Sequence, residues 1–159
     1  MAEKEDFFND IRSGNLEGIQ KALANVPELL HAVDGRGSTP LLLATYYGHG
    51  EVTKYLLDLG AEVDAKDSSG NTALMGVCFK GYENIAALLV DAGANVNHVN
   101  SMGATSLIYA ASFNKMGIAK MLLDHGADIN AKDARGNTAL ENAKMQEASE
   151  MVALLQQYG

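Results

Sequence analysis

The chain has 159 residues, of which 47% are hydrophobic, so it is long enough to bury a core as one domain. Its net charge of −8 argues against binding to nucleic acid or to an anionic membrane, because both require a basic face. The start, MAEKEDFFND, lacks the apolar stretch of a signal peptide, and no apolar run approaches the length of a membrane span. A single cysteine excludes an internal disulfide, so we expect a soluble, cytoplasmic protein.

The first predicted element is a helix in the sequence EDFFNDI, residues 5–11. Three apolar residues of this helix are expected to close one end of the core: Phe7, Phe8 and Ile11. Ile19 and Leu23, spaced four apart, predict a second helix. The segment VPELLHAV, residues 26–33, follows it and contains no glycine.

Residues 34–66, DGRGSTPLLLATYYGHGEVTKYLLDLGAEVDAK, form the first complete unit. Thr39 is a natural N-cap, and Pro40 suits the first position of a short helix that ends at Gly48. A second helix is predicted from about Glu51 to Leu59, with Val52, Leu56 and Leu59 on its buried side. Gly60 then supplies a left-handed residue at its C-terminus. The sequence AEVDAKDSSG then predicts an extended finger with a turn at its tip.

The same pattern recurs every 33 residues along the chain. A threonine, a glycine and a leucine keep this spacing through four copies: Thr39, Thr72, Thr105 and Thr138; Gly60, Gly93, Gly126 and Gly159; Leu56, Leu89, Leu122 and Leu155. Ile19 and Leu23 stand at the places of Val52 and Leu56, but VPELLHAV replaces the turn that begins with glycine in the other units. The N-terminal segment therefore fits the repeat more loosely. A fixed period of this length indicates stacked units that bury their apolar faces against each other.

The repeated pattern resembles the ankyrin repeat over nearly the whole chain. The residues that carry the resemblance are TPL…A…GHGEV…LL…GAEVDAKD, TAL…GYENI…LL…GANVNHVN, TSL…MGIAKMLL…GADINAKD and TAL…MVALL…YG. The resemblance implies an all-α solenoid of stacked helix-turn-helix units with β-hairpin-like fingers. It implies one domain, 1–159, made of an N-terminal capping repeat at 1–33, full repeats at 34–66, 67–99 and 100–132, and a C-terminal capping repeat at 133–159.

The chain departs from the family pattern at the histidine of the TPLH turn. Four other residues take that place: Leu42, Met75, Ile108 and Glu141. The usual hydrogen bonds between Thr and His at the turn are therefore absent. In the last unit, Thr138 and Glu141 form a capping-box pattern instead. That unit also has a polar outer surface, as a terminal unit requires, from Glu147, Glu150, Gln156 and Gln157.

The sequence contains no pattern typical of catalysis or metal binding. It has no glycine-rich phosphate loop and no nucleophile elbow, and its four histidines lack metal-ligand spacing. His49 and His125 are expected to form turn hydrogen bonds, and Cys78 to pack as a small core residue. Four residues are expected to form the finger turns rather than bind calcium: Asp34, Asp67, Asn100 and Asp133. We therefore predict no enzyme activity, no cofactor and no metal site.

When the 33-residue units are aligned, the residues at equivalent positions form columns. Five of the ten aromatic residues fall in columns whose residue types differ between units. These five, called the aromatic strip below, are Tyr46, Tyr47, Phe79, Tyr109 and Phe113. Columns that pack between units repeat their chemistry, whereas Tyr46 shares its column with Ser112 and Tyr47 with Lys80. If half of each ring is exposed, the strip offers on the order of 400–600 Å² of aromatic surface, which is typical of interaction sites. The alternative interpretation is that the rings only pack between units.

The ankyrin resemblance implies that fingers and first helices line a concave side where partners bind. The expected partner-binding residues are Arg36, Ser38, Tyr46, Tyr47, Ser69, Asn71, Phe79, Lys80, Met102, Tyr109, Ser112, Phe113, Arg135 and Asn137. We predict a monomeric, non-catalytic module that binds an unidentified partner protein, whose carboxylates meet Arg36 and Arg135. Two alternatives are a small inhibitor or regulator of a larger enzyme, similar in size to ankyrin-type cyclin-dependent kinase inhibitors, and a homodimer formed through the aromatic strip.

Overall fold

The computed structural model of this protein describes residues 2–159, with side chains from residue 3 onward. Its α-helices, in chain order, are α1 (Ala2–Ser13), α2 (Leu16–Asn25), α3 (Pro40–Tyr46), α4 (Gly50–Asp58), α5 (Ala73–Lys80), α6 (Glu83–Asp91), α7 (Ser106–Ser112), α8 (Met116–Asp124), α9 (Ala139–Met145) and α10 (Ser149–Tyr158). A 3-10 helix, Pro27–His31, follows α2 in the segment without glycine. The predicted all-α solenoid is confirmed.

The first helix of each of the last four units begins directly after the predicted threonine, which is its N-cap. The Oγ1 atoms of these residues each accept a hydrogen bond from the backbone N–H three residues later, at 3.2–3.4 Å: Thr39, Thr72, Thr105 and Thr138. Glu141 Oε1 in turn accepts the N–H of Thr138 at 3.1 Å, which completes the predicted capping box. Local sequence therefore sets where these helices start.

The first helices pack side by side, α1 against α3, α3 against α5, α5 against α7 and α7 against α9, and each packs against the second helix of its own unit. The core runs continuously through this stack. Phe7, Phe8 and Ile11 are buried at its N-terminal end, as predicted. The prediction for Leu59 is wrong: this residue is the C-cap of α4, beyond the packed turns of the helix, and is 47% exposed. Three residues that stand at the family's histidine position are also buried: Leu42, Met75 and Ile108. Their apolar side chains enlarge the core where the family has a hydrogen-bonded turn.

The fingers consist of turns, with one isolated antiparallel bridge, Lys66 with Thr72, in the described part of the chain. At each finger tip one side-chain Oδ1 accepts two backbone N–H groups, two and four residues later, at 2.9–3.0 Å; the acceptors are Asp34, Asp67, Asn100 and Asp133. Their predicted role as turn formers is confirmed. Neighbouring tips are also joined, for example by Ser101 N–H to Ser69 O at 3.1 Å. The fingers are thus braced although the family's Thr–His bonds are missing.

Candidate functional site

Helices α3, α5 and α7, together with the adjoining fingers, line an open groove of about 990 Å³. Nine of the fourteen sequence-predicted residues line it: Arg36, Ser38, Tyr46, Tyr47, Ser69, Asn71, Phe79, Tyr109 and Phe113. The other five lie outside this lining: Lys80, Met102, Ser112, Arg135 and Asn137. The groove is therefore centred on the N-terminal and middle units, and Arg135 does not mark one of its ends.

The aromatic strip divides into two groups of rings. Tyr46 and Tyr47 form an edge-to-face pair, with centroids 5.6 Å apart at 86°. Phe113 contacts Phe79 edge to face at 4.8 Å and stacks on Tyr109 at 6.4 Å. Four of the five rings nevertheless keep 41–47% of their surface exposed, and the fifth, Tyr109, is half-buried. Packing contacts therefore orient these rings without covering them.

A finger residue holds the position of the Tyr109 ring. The buried Asn100 donates hydrogen bonds from Nδ2 to the Tyr109 hydroxyl and to Asn71 Oδ1, both at 2.8 Å. The Oδ1 atom of the same Asn100 accepts the two N–H groups of its finger turn. One side chain thus ties the finger to the groove wall, so the wall is preorganised.

Basic groups without carboxylate partners stand beside the rings. Helices α3, α5 and α7 contain no Asp or Glu, and Lys80 is their one charged residue. Its Nζ atom lies 4.9 Å from the Tyr46 ring centroid, within cation–π range. Neither Lys80 nor Arg36 takes part in any of the four ion pairs found between residues 2 and 159.

The acidic residues of the groove are already engaged in local structure. Asp34 and Asp67 accept backbone N–H groups in their finger turns. Asp34 also pairs with Arg12 of α1, at 3.6 Å between Nη2 and Oδ2. Although the whole chain is acidic, the groove therefore offers free positive charge and no free carboxylate of comparable accessibility.

Sequence reasoning missed several residues of the groove lining, among them Arg12, Leu42, Leu43, Met75 and Gly76. Arg12 stands 33 residues before Thr45 and 66 before Cys78, whose side chains are buried, so the repeat alignment gave no sign that Arg12 would reach the groove. Its side chain is 38% exposed and reaches the groove because α1 begins the stack. For Gly76 a signal did exist, since its column contains Leu43, Tyr109 and Asn142 and therefore varies in both size and polarity.

Cys78 and the histidines have structural surroundings, as predicted. Cys78 is fully buried, and this burial raises the pKa of its thiol to about 12. A hydrogen bond with Ser106 acts in the opposite direction, but its effect on this pKa is smaller. His49 Nε2 lies 2.7 Å from the Arg12 carbonyl oxygen, and His125 Nδ1 lies 2.8 Å from that of Met121. The thiol is therefore inert in the native fold, and these imidazoles are committed to backbone contacts.

No cluster of three or more potential metal ligands occurs within the described residues. Across the same residues, no helix has the length and apolarity needed to cross a membrane.

Family comparisons agree with the repeat and the fold. A family model described as ankyrin repeats (3 copies) matches residues 9–100, and a second, described as ankyrin repeats (many copies), matches residues 89–143. The chain belongs to the ankyrin repeat family. Proteins of this family are generally protein–protein interaction modules and are typically non-catalytic.

The chain is also similar to Protein fem-1 homolog A of Homo sapiens, with 44% identity over 64 residues. This match covers 36% of the present chain and 9% of the human protein. The chain therefore spans less than a tenth of the length of this curated relative.

Proposed function

We propose that residues 1–159 act as one non-catalytic module that binds a partner protein in the groove, through the aromatic strip and the neighbouring finger tips. The observation that carries this proposal is the exposure of four clustered rings, each with 41–47% of its surface uncovered. Monomeric proteins rarely leave contiguous apolar patches of this kind bare, and tyrosine is enriched among residues that dominate binding energy.

The size of the surface also suits a protein partner. Each aromatic side chain offers roughly 150–250 Å² when fully accessible, so the half-exposed strip supplies about half of the ~800 Å² that one partner contributes to a standard interface. The finger tips would supply the polar rim, with the exposed Arg36 and Ser69 beside the rings. The five predicted residues outside the groove lining would extend this rim toward α7 and the last finger.

An affinity-capture experiment tests the proposal. Immobilised wild-type protein and the variant Tyr46→Ala/Phe113→Ala are exposed to a lysate of the source cells, and bound proteins are quantified by mass spectrometry. Tyr158→Ala is the matched control, because Tyr158 is an exposed aromatic residue on α10, away from the groove. We expect the wild type and the control to retain the same partner and the double variant to lose it. Equal capture by all three proteins would contradict the proposal.

Sedimentation at micromolar concentration separates a heterologous partner from self-association. We expect the wild type to sediment as a monomer. A dimer that the double variant dissociates would show instead that the strip buries itself against a second copy.

We also propose the cytoplasm as the site of action, because the lone Cys78 is unpaired and suits a reducing compartment. Imaging of a fluorescent fusion tests this, and an extracytoplasmic signal would contradict it.

A further inference from the structure

Gly76 lies inside a first helix, where glycine is unfavourable. It is the fourth residue of α5, and its counterparts are Leu43 in α3, Tyr109 in α7 and Asn142 in α9. The other first helices, α1, α3, α7 and α9, contain no glycine. Glycine destabilises a helix interior relative to alanine because it loses more backbone entropy on folding.

Neither the backbone nor packing requires glycine at this position. The residue has ordinary helical geometry and is not among the glycines with positive φ. A Cβ atom added there would meet one side-chain atom within 4 Å, Cδ1 of Tyr46 at 3.8 Å, which is an ordinary van der Waals contact. The missing side chain therefore leaves open space in the groove.

Aromatic residues that line the same groove stand near this space, which we call the Gly76 notch. Tyr46 on α3 stands beside it, Phe79 is one helical turn further along α5, and Tyr109 holds the equivalent place on α7. Phe79 is fixed by Phe113, and Tyr109 by its hydrogen bond with Asn100. The notch is thus a preformed apolar recess, and a binding side chain has little to reorganise.

The charges around the notch define what fits it. The Lys80 Nζ atom lies 4.9 Å from the Tyr46 ring centroid, and no carboxylate of α3, α5 or α7 neutralises it. The missing volume is at least that of one aliphatic side chain, since Leu43 fills the corresponding place on α3 and the larger Tyr109 fills the one on α7.

We infer that the Gly76 notch receives one aliphatic side chain, Leu, Ile or Met, from a linear segment of the partner protein that carries Asp or Glu beside this anchor for Lys80. This inference rests on the proposed function and specifies the chemistry of the segment. The glycine is then retained for recognition at the expense of helix stability.

A phage-displayed library of random linear peptides, selected on the immobilised wild-type protein, tests the inference even while the partner is unidentified. We expect the enriched peptides to share an aliphatic residue with Asp or Glu within a few positions of it. Lys80→Ala is expected to remove the acidic preference and keep the aliphatic one. Enrichment of basic or purely polar peptides, or of none, would overturn the inference.

Two substitutions then separate stability from recognition, with the enriched peptide as the probe. Gly76→Ala is expected to raise Tm by about 2 °C, because it restores helix propensity, and to weaken peptide affinity about tenfold by partly filling the notch. Gly76→Leu, which copies Leu43, should weaken it by about a hundredfold. Gly50→Ala is the control, since a Cβ at Gly50, the first residue of α4, meets nothing within 4 Å and should leave affinity unchanged.

Replacing the aliphatic anchor residue of the peptide with alanine completes a double-mutant cycle between this residue and Gly76. This change should weaken binding to the wild type and have little further effect on Gly76→Leu. If Gly76→Ala raises Tm but leaves affinity intact, the inference is wrong, while the proposed function stands as long as Tyr46→Ala/Phe113→Ala abolishes peptide binding. If the double variant also binds normally, the proposed function itself fails.

Discussion

Two columns of the same 33-residue repeat behave in opposite ways. Leu56, Leu89, Leu122 and Leu155 repeat one residue type, and all four are fully buried. Tyr46, Phe79, Ser112 and Met145 range from aromatic to polar, and the three large side chains of this column are 41%, 47% and 56% exposed. Each leucine packs at an interface that recurs from unit to unit, so each interface needs the same shape. The ends of the first helices face the groove, where nothing requires neighbouring units to agree.

A third column shows that variation alone does not identify a surface. Leu42, Met75 and Ile108 differ in shape, yet all three are buried, and only Glu141 in the terminal unit is exposed. Apolar residues of similar volume exchange at modest cost in a core, so a buried column tolerates changes of shape while it keeps its polarity. A column marks a surface when polarity changes within the internal units as well, as it does from Tyr46 to Ser112.

The largest expected effect tests the buried leucine column. Leu122→Ala should lower the free energy of unfolding by about 2–5 kcal/mol, because it creates a cavity between fully packed units. Urea denaturation of the variant and the wild type measures this difference. A loss below about 1 kcal/mol would show that Leu122 does not stand at a closely packed interface.

The next prediction concerns the exposed rings. Tyr46→Ala/Phe113→Ala should weaken partner binding by about 2 kcal/mol or more if these rings are hot spots, and should lower Tm far less than Leu122→Ala does. Titration calorimetry with the captured partner and thermal denaturation provide the two values. Unfolding of the double variant, with normal binding of the remaining folded fraction, would assign the rings to packing.

A smaller effect is expected at the braced finger of the last unit. Partial desolvation acts to raise the pKa of Asp133, but hydrogen bonds from the Asn137 N–H, the Asn142 amide and the Arg135 N–H outweigh it and hold this pKa below its usual value. Because the folded-state pKa is lowered, the stabilisation is present above about pH 4 and is lost as the pH falls through the folded-state pKa.

Asp133→Asn provides the measurement for this finger. Asparagine preserves the turn, as Asn100 does in the preceding unit, but it loses the charge and the bond from Asn142. We expect a loss of less than about 1 kcal/mol at pH 7 that disappears in acid. A loss that is equally large at pH 3 would mean that the charge of Asp133 is unimportant.

The smallest effects are expected at residues that contribute packing and turns only. Cys78→Ala and His49→Ala should each leave partner affinity within about 0.5 kcal/mol of the wild type, because neither side chain lines the groove. Titration calorimetry of both variants checks this. A larger loss at either position would mean that this residue affects the groove despite lying outside its lining.

The period, the helix starts and the finger turns were predictable from sequence because they depend on local chemistry that repeats. A threonine three residues before a free N–H caps a helix in each of the last four units, and an Asp or Asn side chain closes every finger turn whatever its neighbours are. The leucine column was predictable for the same reason, since a recurring interface selects one residue. Composition and period together thus determined the fold class and the buried face.

The tertiary structure decided which of the varied residues meet. Arg12 lines the groove, whereas Arg135 lies outside it. Lys80 lies within cation–π range of the Tyr46 ring, and Gly76 leaves a recess in the groove. These relations join residues that stand tens of positions apart on neighbouring helices. Their distances depend on how adjacent units stack and on the rotamers that the rings adopt against each other, and neither is fixed by the propensities of a single unit.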